Sequence, residues 1–147
     1  MIIYQSRIYR EDLKANPDVL YVFGDNVERI GLGGQAAEMR YEPNAVGVAT
    51  KWSISKCFSD DDYKEIVDII NEDMWPVNDH LEDNKIVVVP LDGIGTGLAD
   101  LPKNAPKVYK YICELGLGGI GDTWPGYNDP NSPGEGIRRS SGYGVND

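Results

Sequence analysis

Residues 85–98 read Lys-Ile-Val-Val-Val-Pro-Leu-Asp-Gly-Ile-Gly-Thr-Gly-Leu, an apolar run that leads directly into a glycine-rich segment. The unbroken valines predict a strand that is buried on both faces, as strands of parallel sheets usually are. Glycines directly after such a strand allow backbone N–H groups to come within hydrogen-bond distance of a phosphate. The sequence therefore predicts a central strand over residues 85–91 and a phosphate-binding loop behind it.

A second strand followed by a glycine loop occurs earlier in the chain. Residues 19–23 predict a strand, and the segment Gly31-Leu32-Gly33-Gly34-Gln35-Ala36 follows and opens a short helix. Open α/β sheets bind their ligands in the crevice at the carboxyl ends of neighbouring strands. We expect the two glycine loops to hold a diphosphate between them.

Neither loop matches a common nucleotide-binding fingerprint. Gly31, Gly33 and Ala36 satisfy the pattern Gly-x-Gly-x-x-Ala, but residues 25–30 separate them from the strand, and no acidic residue closes the next strand. The later loop lacks the Gly-Lys-Ser/Thr of a Walker A motif. Both common nucleotide folds are therefore disfavoured.

Further elements alternate along the chain and predict one α/β/α layered domain. The apolar spacing predicts two more strands, over residues 2–9 (an edge strand) and 44–51, and helices over residues 34–40, 60–74 and 106–115.

Residues 117–147 differ in composition from the rest of the chain. Glycine, proline, asparagine, serine and aspartate dominate there, and no periodic pattern is visible. A solvated tail and an ordered extension both remain open, the latter because Trp124, Tyr127 and Tyr143 are costly to leave in water.

The composition limits the partners and the compartment. With 14 basic and 24 acidic residues among 147, the formal net charge is −10. Such a surface repels nucleic-acid backbones and anionic membranes, so we expect non-specific binding to neither. No apolar run approaches the roughly 20 residues that span a bilayer. Cys57 and Cys113 lack a Cys-x-x-Cys spacing and are interpreted as free buried thiols, which favours the cytoplasm.

The order of these motifs resembles the macrodomain superfamily over roughly residues 2–115. Gly24-Asp25 resembles the Gly-Asp whose aspartate accepts a hydrogen bond from the adenine of ADP-ribose. Gly33-Gly34-Gln35-Ala36 is similar to the loop that borders the distal ribose and the diphosphate, and residues 89–98 are similar to the strand and second phosphate loop. The resemblance implies a three-layer α/β/α domain with a mixed sheet over residues 1–116, an irregular extension over residues 117–147, and ADP-ribose as ligand.

Within that superfamily the chain resembles the terminal ADP-ribose glycohydrolases. In that branch a lysine at the end of the middle strand attacks the anomeric carbon, and Thr50-Lys51 stands at the matching place. The aspartate that follows the second loop directly in that branch is replaced by Ala99, and Asp100 comes one residue later. Asp92 could instead hold a water for hydrolysis. The candidate catalytic residues are therefore Lys51, Asp92 and Asp100. The candidate ligand contacts are Asp25, Asn26, Gly33, Gly34, Gln35, Gly93, Ile94, Gly95, Thr96, Gly97 and Leu98.

Plainer interpretations of single residues stay open beside these roles. Asp25 could cap a turn, Lys51 could be a surface lysine, and Trp52 could belong to the core or to the pocket wall. His80 is interpreted as a loop histidine, because one imidazole without a cysteine or second histidine makes a poor metal site. We expect neither a metal nor a cofactor.

Three functions are compatible with the sequence. The first is a protein that binds ADP-ribose or an ADP-ribosylated substrate, with hydrolysis of the ADP-ribosyl linkage as a further step. The second is a module that sequesters an ADP-ribose-derived metabolite without turnover. The third is an interaction protein that docks through residues 117–147. The oligomeric state is left open by the sequence.

Overall fold

The computed structural model describes residues 1–120 and shows an α/β domain. Four strands form one sheet in the order β1-β4-β2-β3, and every neighbouring pair is parallel. The predicted mixed sheet is therefore wrong for this part of the chain. Helical segments connect successive strands and return the chain to the same edge of the sheet, so each strand runs in the same direction. The strands are β1 (Ile2–Gln5), β2 (Leu20–Asn26), β3 (Ala45–Lys51) and β4 (Val87–Pro90).

Six helices accompany the sheet within residues 1–120. Three of them were predicted, with small shifts of their ends, and three were not: α1, α4 and α5. The helices are α1 (Arg10–Ala15), α2 (Ala36–Met39), α3 (Tyr63–Asp73), α4 (Trp75–Glu82), α5 (Leu101–Asn104) and α6 (Pro106–Glu114), with a 3-10 turn at Asp60–Asp62 before α3.

The first predicted strand is too long because the apolar alternation continues past its end. Strand β1 stops at Gln5. If the strand continued, Ile8 would lie on the same face of the sheet as Tyr4, but these two side chains belong to different clusters of buried residues. The chain then starts α1, where the Asp12 carboxylate accepts a hydrogen bond from the Tyr9 N–H group at 2.8 Å. This side chain satisfies one of the backbone donors that a helix start leaves unpaired. The position of β1 at a sheet edge is confirmed.

Two clusters of buried side chains lie on opposite faces of the sheet. Val22 of β2 belongs to one cluster, whereas its neighbours Tyr21 and Phe23 belong to the other, because successive side chains of a strand point to opposite faces. Residues of α3, α4 and α6 pack in the first cluster, and residues of α1 and α2 pack in the second. Val87, Val88 and Val89 of β4 are all buried, as the valine run predicts.

Helix α6 is anchored at its start by a distant carboxylate. The Asp60 side chain accepts hydrogen bonds from the N–H groups of Lys107 and Val108 at 3.0–3.2 Å. Ala105, which precedes the helix, has no side-chain acceptor of its own. Asp60 therefore fixes α6 to the segment before α3.

The two cysteines are free and half-buried. Burial raises the pKa of the Cys113 thiol to about 11, so this group stays protonated at neutral pH. Over residues 1–120, no helix has the length and apolar character needed to cross a membrane. The predictions for residues 121–147 lie outside the described residues.

Candidate functional site

A cleft of about 500 Å³ opens at the carboxyl edge of the sheet. Asn26, Lys51 and Pro90 line it, and each of them is the last residue of its strand. Since the strands are parallel, their carboxyl ends share one edge, and the loops behind them converge there. Strands β2 and β4 are neighbours, so the glycine loops that follow them border the same cleft.

All eleven residues predicted to contact a ligand line this cleft. They are Asp25, Asn26, Gly33, Gly34, Gln35, Gly93, Ile94, Gly95, Thr96, Gly97 and Leu98.

The three predicted catalytic residues are not all at the cleft. Lys51 and Asp92 line it, whereas Asp100 is not among its lining residues. Asp100 takes a left-handed backbone conformation with φ of 41°, and its carbonyl accepts hydrogen bonds from Lys103 and Asn104 at the start of α5. The turn at Asp100 thus begins a helix and takes this residue away from the cleft.

The glycine loops present unpaired backbone donors at the cleft. Among residues 1–120, the N–H groups of Gly33 and Gly34 in the first loop, and those of Gly95, Thr96 and Gly97 in the second, donate to no other protein group. Such runs of free amides in glycine-rich loops are typical of anion-binding sites. The loops can therefore supply donors to a phosphate without a cationic side chain.

Two glycines take conformations that favour glycine over other residues. Gly34 has a φ of 57°, and a Cβ atom there would meet nothing within 4 Å. Gly95 has a φ of 85°, and a Cβ atom there would overlap the Leu101 side chain. A side chain is therefore opposed by the backbone at Gly34 and by both backbone and packing at Gly95.

A buried ion pair joins strand β2 to the first glycine loop. Arg40 Nη2 lies 2.5 Å from Asp25 Oδ1, and Arg40 Nη1 lies 3.3 Å from Oδ2. The two side chains are only 8% and 4% exposed. Arg40 Nε also donates to the Gly31 carbonyl at 2.8 Å, and its guanidinium lies 5.4 Å from the Phe23 ring centroid. Arg40 therefore connects Asp25 of strand β2 to Gly31 of the first glycine loop.

The Asp25 carboxylate has little acceptor capacity left for a ligand. Its Oδ1 accepts from Arg40 and from the Asn26 N–H group at 2.8 Å, so both lone pairs of that oxygen are used. Its Oδ2 accepts from Arg40 and also lies 3.8 Å from Arg29. An adenine amino group would have to bond to the one remaining site on Oδ2.

Gly47 of strand β3 makes room for this ion pair. A Cβ atom at Gly47 would overlap Asp25 Oδ2 and lie 2.9 Å from Asp25 Cβ. Sequence reasoning missed both Arg40 and Gly47. An isolated glycine within a strand often marks a close approach of another group, and this was the available signal.

The polar side chains at the mouths of the loops have partners within the chain. Asn26 Nδ2 donates to the Ile30 carbonyl at 2.7 Å, and Gln35 Nε2 donates to the Ile8 carbonyl at 3.2 Å. These bonds hold the first loop at its beginning and its end. The predicted ligand contacts of Asn26 and Gln35 would share these amides.

Lys51 is held by the tight turn that follows β3. Its Nζ donates to the Ile54 carbonyl at 2.6 Å, and its backbone forms an antiparallel bridge with Cys57.

Trp52 does not line the cleft and packs edge-to-face on Phe58 with ring centroids 5.1 Å apart, which favours the core interpretation. His80 lies on α4 rather than in a loop, with Nε2 2.9 Å from the Asp18 carbonyl. No cluster of metal ligands occurs in the described part of the chain.

The fold and the cleft define an α/β domain with a ligand-sized crevice at the carboxyl edge of a parallel sheet. The chain belongs to a family of unknown function (DUF7831), which it matches over residues 3–115. That span contains both glycine loops, Arg40 and all six helices found within residues 1–120. No curated protein and no solved structure matches the chain.

Proposed function

We propose that this protein binds ADP-ribose or a closely related nucleotide in the cleft. The observation that carries the proposal is the meeting of two glycine loops, with unpaired N–H groups on both, at one crevice of about 500 Å³. Pockets for small molecules usually have volumes of roughly 300–1,000 Å³. The presence of helices on both faces of the sheet also fits the three-layer macrodomain-like arrangement that the sequence resembles.

Backbone donors account for how an acidic protein would hold an anionic ligand. The charged side chains that line the cleft are Asp25, Arg40, Lys51 and Asp92, and Arg40 is engaged by Asp25. The diphosphate would therefore depend mainly on the loop amides, with Lys51 as the lining cation that has no acidic partner within residues 1–120. This recognition does not require the basic surface that a nucleic-acid-binding protein needs.

Titration calorimetry with ADP-ribose tests the proposal. We expect the wild-type protein to bind, and Gly34→Ala to weaken binding about tenfold, since Gly34 lines the cleft with a φ of 57° that alanine rarely adopts. An alanine in this left-handed conformation costs about 1–2 kcal/mol. We expect the loop to shift in order to relieve this strain. Failure of the wild-type protein to bind ADP-ribose would remove the proposal.

Asn84→Ala is a matched control for backbone strain. Asn84 has a φ of 59°, close to the 57° of Gly34, but it lies outside the cleft. Alanine there should lower stability without changing the affinity for ADP-ribose. Equal losses of affinity in both variants would show that strain, rather than the first loop, controls binding.

Hydrolysis of an ADP-ribosyl linkage is a second candidate function, favoured by Lys51 and Asp92 in the same cleft. A lysine nucleophile attacks with its nitrogen lone pair, and Lys51 Nζ is held against the Ile54 carbonyl by a hydrogen bond. We expect Lys51→Ala to lower ADP-ribose affinity several-fold and mass spectrometry to find no adduct on Lys51 after incubation with an ADP-ribosyl ester. Lys56→Ala, an exposed lysine on the same turn, should bind as the wild type does. A stoichiometric adduct on Lys51 would establish the covalent route instead.

A further inference from the structure

The polar side chains that line the cleft are mostly bonded to the protein itself. Nine polar side chains line it, and seven of them have a hydrogen-bond partner within residues 1–120. The other two, Ser6 and Asp92, are exposed, so water competes for their hydrogen bonds. The cleft therefore offers few fixed side-chain groups that could distinguish one ligand from another.

The groups at the end of strand β2 satisfy one another. The Asp25 carbonyl accepts a hydrogen bond from the Thr50 hydroxyl at 3.1 Å. The Asp25 carboxylate accepts from Arg40 and from the Asn26 N–H group. One base differs from another in the pattern of donors and acceptors along its edge. Since the acceptor at position 25 and the donor at position 26 bond to each other, they present no free donor–acceptor pair to a base edge.

The exposed side chains at the mouth of the cleft do not distinguish bases either. Ile30 is 51% exposed and its carbonyl accepts from Asn26 Nδ2, whereas Ile54 is 59% exposed and its carbonyl accepts from Lys51 Nζ. A base beside Asn26 or beside Lys51 would therefore meet an aliphatic side chain. Aliphatic groups contact a base through the hydrophobic effect, which has no direction and does not depend on the edge of the base.

The backbone groups that stay unpaired in the glycine loops are all donors. Within residues 1–120, the N–H groups of Gly33, Gly34 and residues 95–97 have no partner. Such donors match the oxygens of a phosphate, but they cannot pair with the amino group of adenine, which is itself a donor. We propose that the cleft recognises the diphosphate and not the base, so that diphosphate esters of different nucleosides bind as one class; this inference rests on the proposed function.

Calorimetry on the full chain with three probes tests the inference. The first two are ADP-ribose and inosine diphosphate ribose, in which hypoxanthine has a carbonyl oxygen where adenine has its amino group. A site built to bond that amino group would reject the second probe strongly, because a polar group of the site would be left unpaired. We expect the two affinities to lie within about fivefold of each other, which is the contribution of one neutral hydrogen bond.

The third probe is adenosine, which keeps the base and lacks the diphosphate. We expect the wild-type protein to bind adenosine at least about tenfold more weakly than ADP-ribose, because adenosine brings no charged acceptor to the loop amides. A smaller difference would show that the diphosphate is not what the cleft recognises, and it would overturn the inference.

Gly34→Ala should lower the affinities for both diphosphates by the same factor, because the diphosphate is the part that they share. Asn84→Ala, with a similar φ outside the cleft, should change neither affinity. If ADP-ribose binds and the wild-type protein prefers one base by a larger factor than expected, or if Gly34→Ala weakens only one of the two diphosphates, the inference is wrong and the proposed function stands. If neither diphosphate binds, both fall.

Discussion

Replacement of Arg40 by methionine is expected to destabilise the domain by about 3–5 kcal/mol, since it leaves the Asp25 carboxylate buried without its partner. The side chain of Asp25 is only 4% exposed, so water cannot replace the lost hydrogen bonds without local opening. The Gly31 carbonyl loses its donor in the same step. Urea unfolding measures the loss, and hydrogen exchange of residues 31–34 should accelerate in the folded protein.

Arg29→Met is the matched control for this change. Arg29 pairs with Asp73 at 2.6 Å and also lies 3.8 Å from Asp25 Oδ2, but its side chain is 39% exposed. An exposed ion pair of this kind contributes about 0–1 kcal/mol. If both arginine variants lose the same small amount, the buried pair is not what holds the first loop.

A double variant separates the buried charge from the rest of the effect. Asp25→Asn combined with Arg40→Met removes both charges, and we expect it to be more stable than Arg40→Met alone, because no unpaired carboxylate remains inside the protein. Simple addition of the two single losses would show that the side chains do not act as a pair.

The strands of this fold could be predicted from local sequence because burial leaves a direct pattern there. The valines of β4 are buried on both faces. In a domain of this size, an unbroken run of valines has few structural interpretations other than a central strand. The end of β1 could not be predicted in this way. Ile8 continues the apolar alternation, but it packs in the second cluster after the chain has turned. Periodicity indicates that a residue is buried, but it does not indicate which layer of the fold covers that residue.

Helix α5 was missed for a related reason. Helix α5 has four residues and begins at a left-handed aspartate, Asp100, so neither its length nor its start gives a periodic signal. The same turn explains why Asp100 lies outside the cleft. A positive φ at a residue other than glycine depends on its surroundings and is rarely visible in the sequence.

The site was predictable where backbone chemistry defines it and unpredictable where tertiary contacts do. Glycine runs behind strands indicated both loops, and the parallel sheet brings them to one edge. The pairing of Asp25 with Arg40 joins residues 15 positions apart. No local pattern specifies that contact, although the glycine at position 47 leaves the space that the Asp25 side chain needs.

The second large effect is expected at Gly93, at the start of the second glycine loop. Its φ is 77°, and a Cβ atom there would overlap the backbone of Gly118. Backbone atoms cannot rotate away as a side chain can. We expect Gly93→Ala to cost about 2–5 kcal/mol in urea unfolding, from the left-handed conformation together with the forced displacement of the neighbouring segment.

Residues 117–120, which lie against Gly93, are held by hydrogen bonds near both ends. This segment therefore cannot move easily to make room for a side chain at position 93. The Ile94 N–H donates to the Leu117 carbonyl, and the Ile120 N–H donates to the Leu91 carbonyl, each at 2.9 Å. Gly97→Ala is the matched control, since Gly97 has no positive φ and a Cβ atom there would meet nothing within 4 Å, and it should change stability by less than about 0.5 kcal/mol. Equal stability of the two variants would mean that residues 117–120 do not support the loop. A large difference would show that the second loop is held in place before a ligand arrives, so that little ordering entropy remains to be lost on binding.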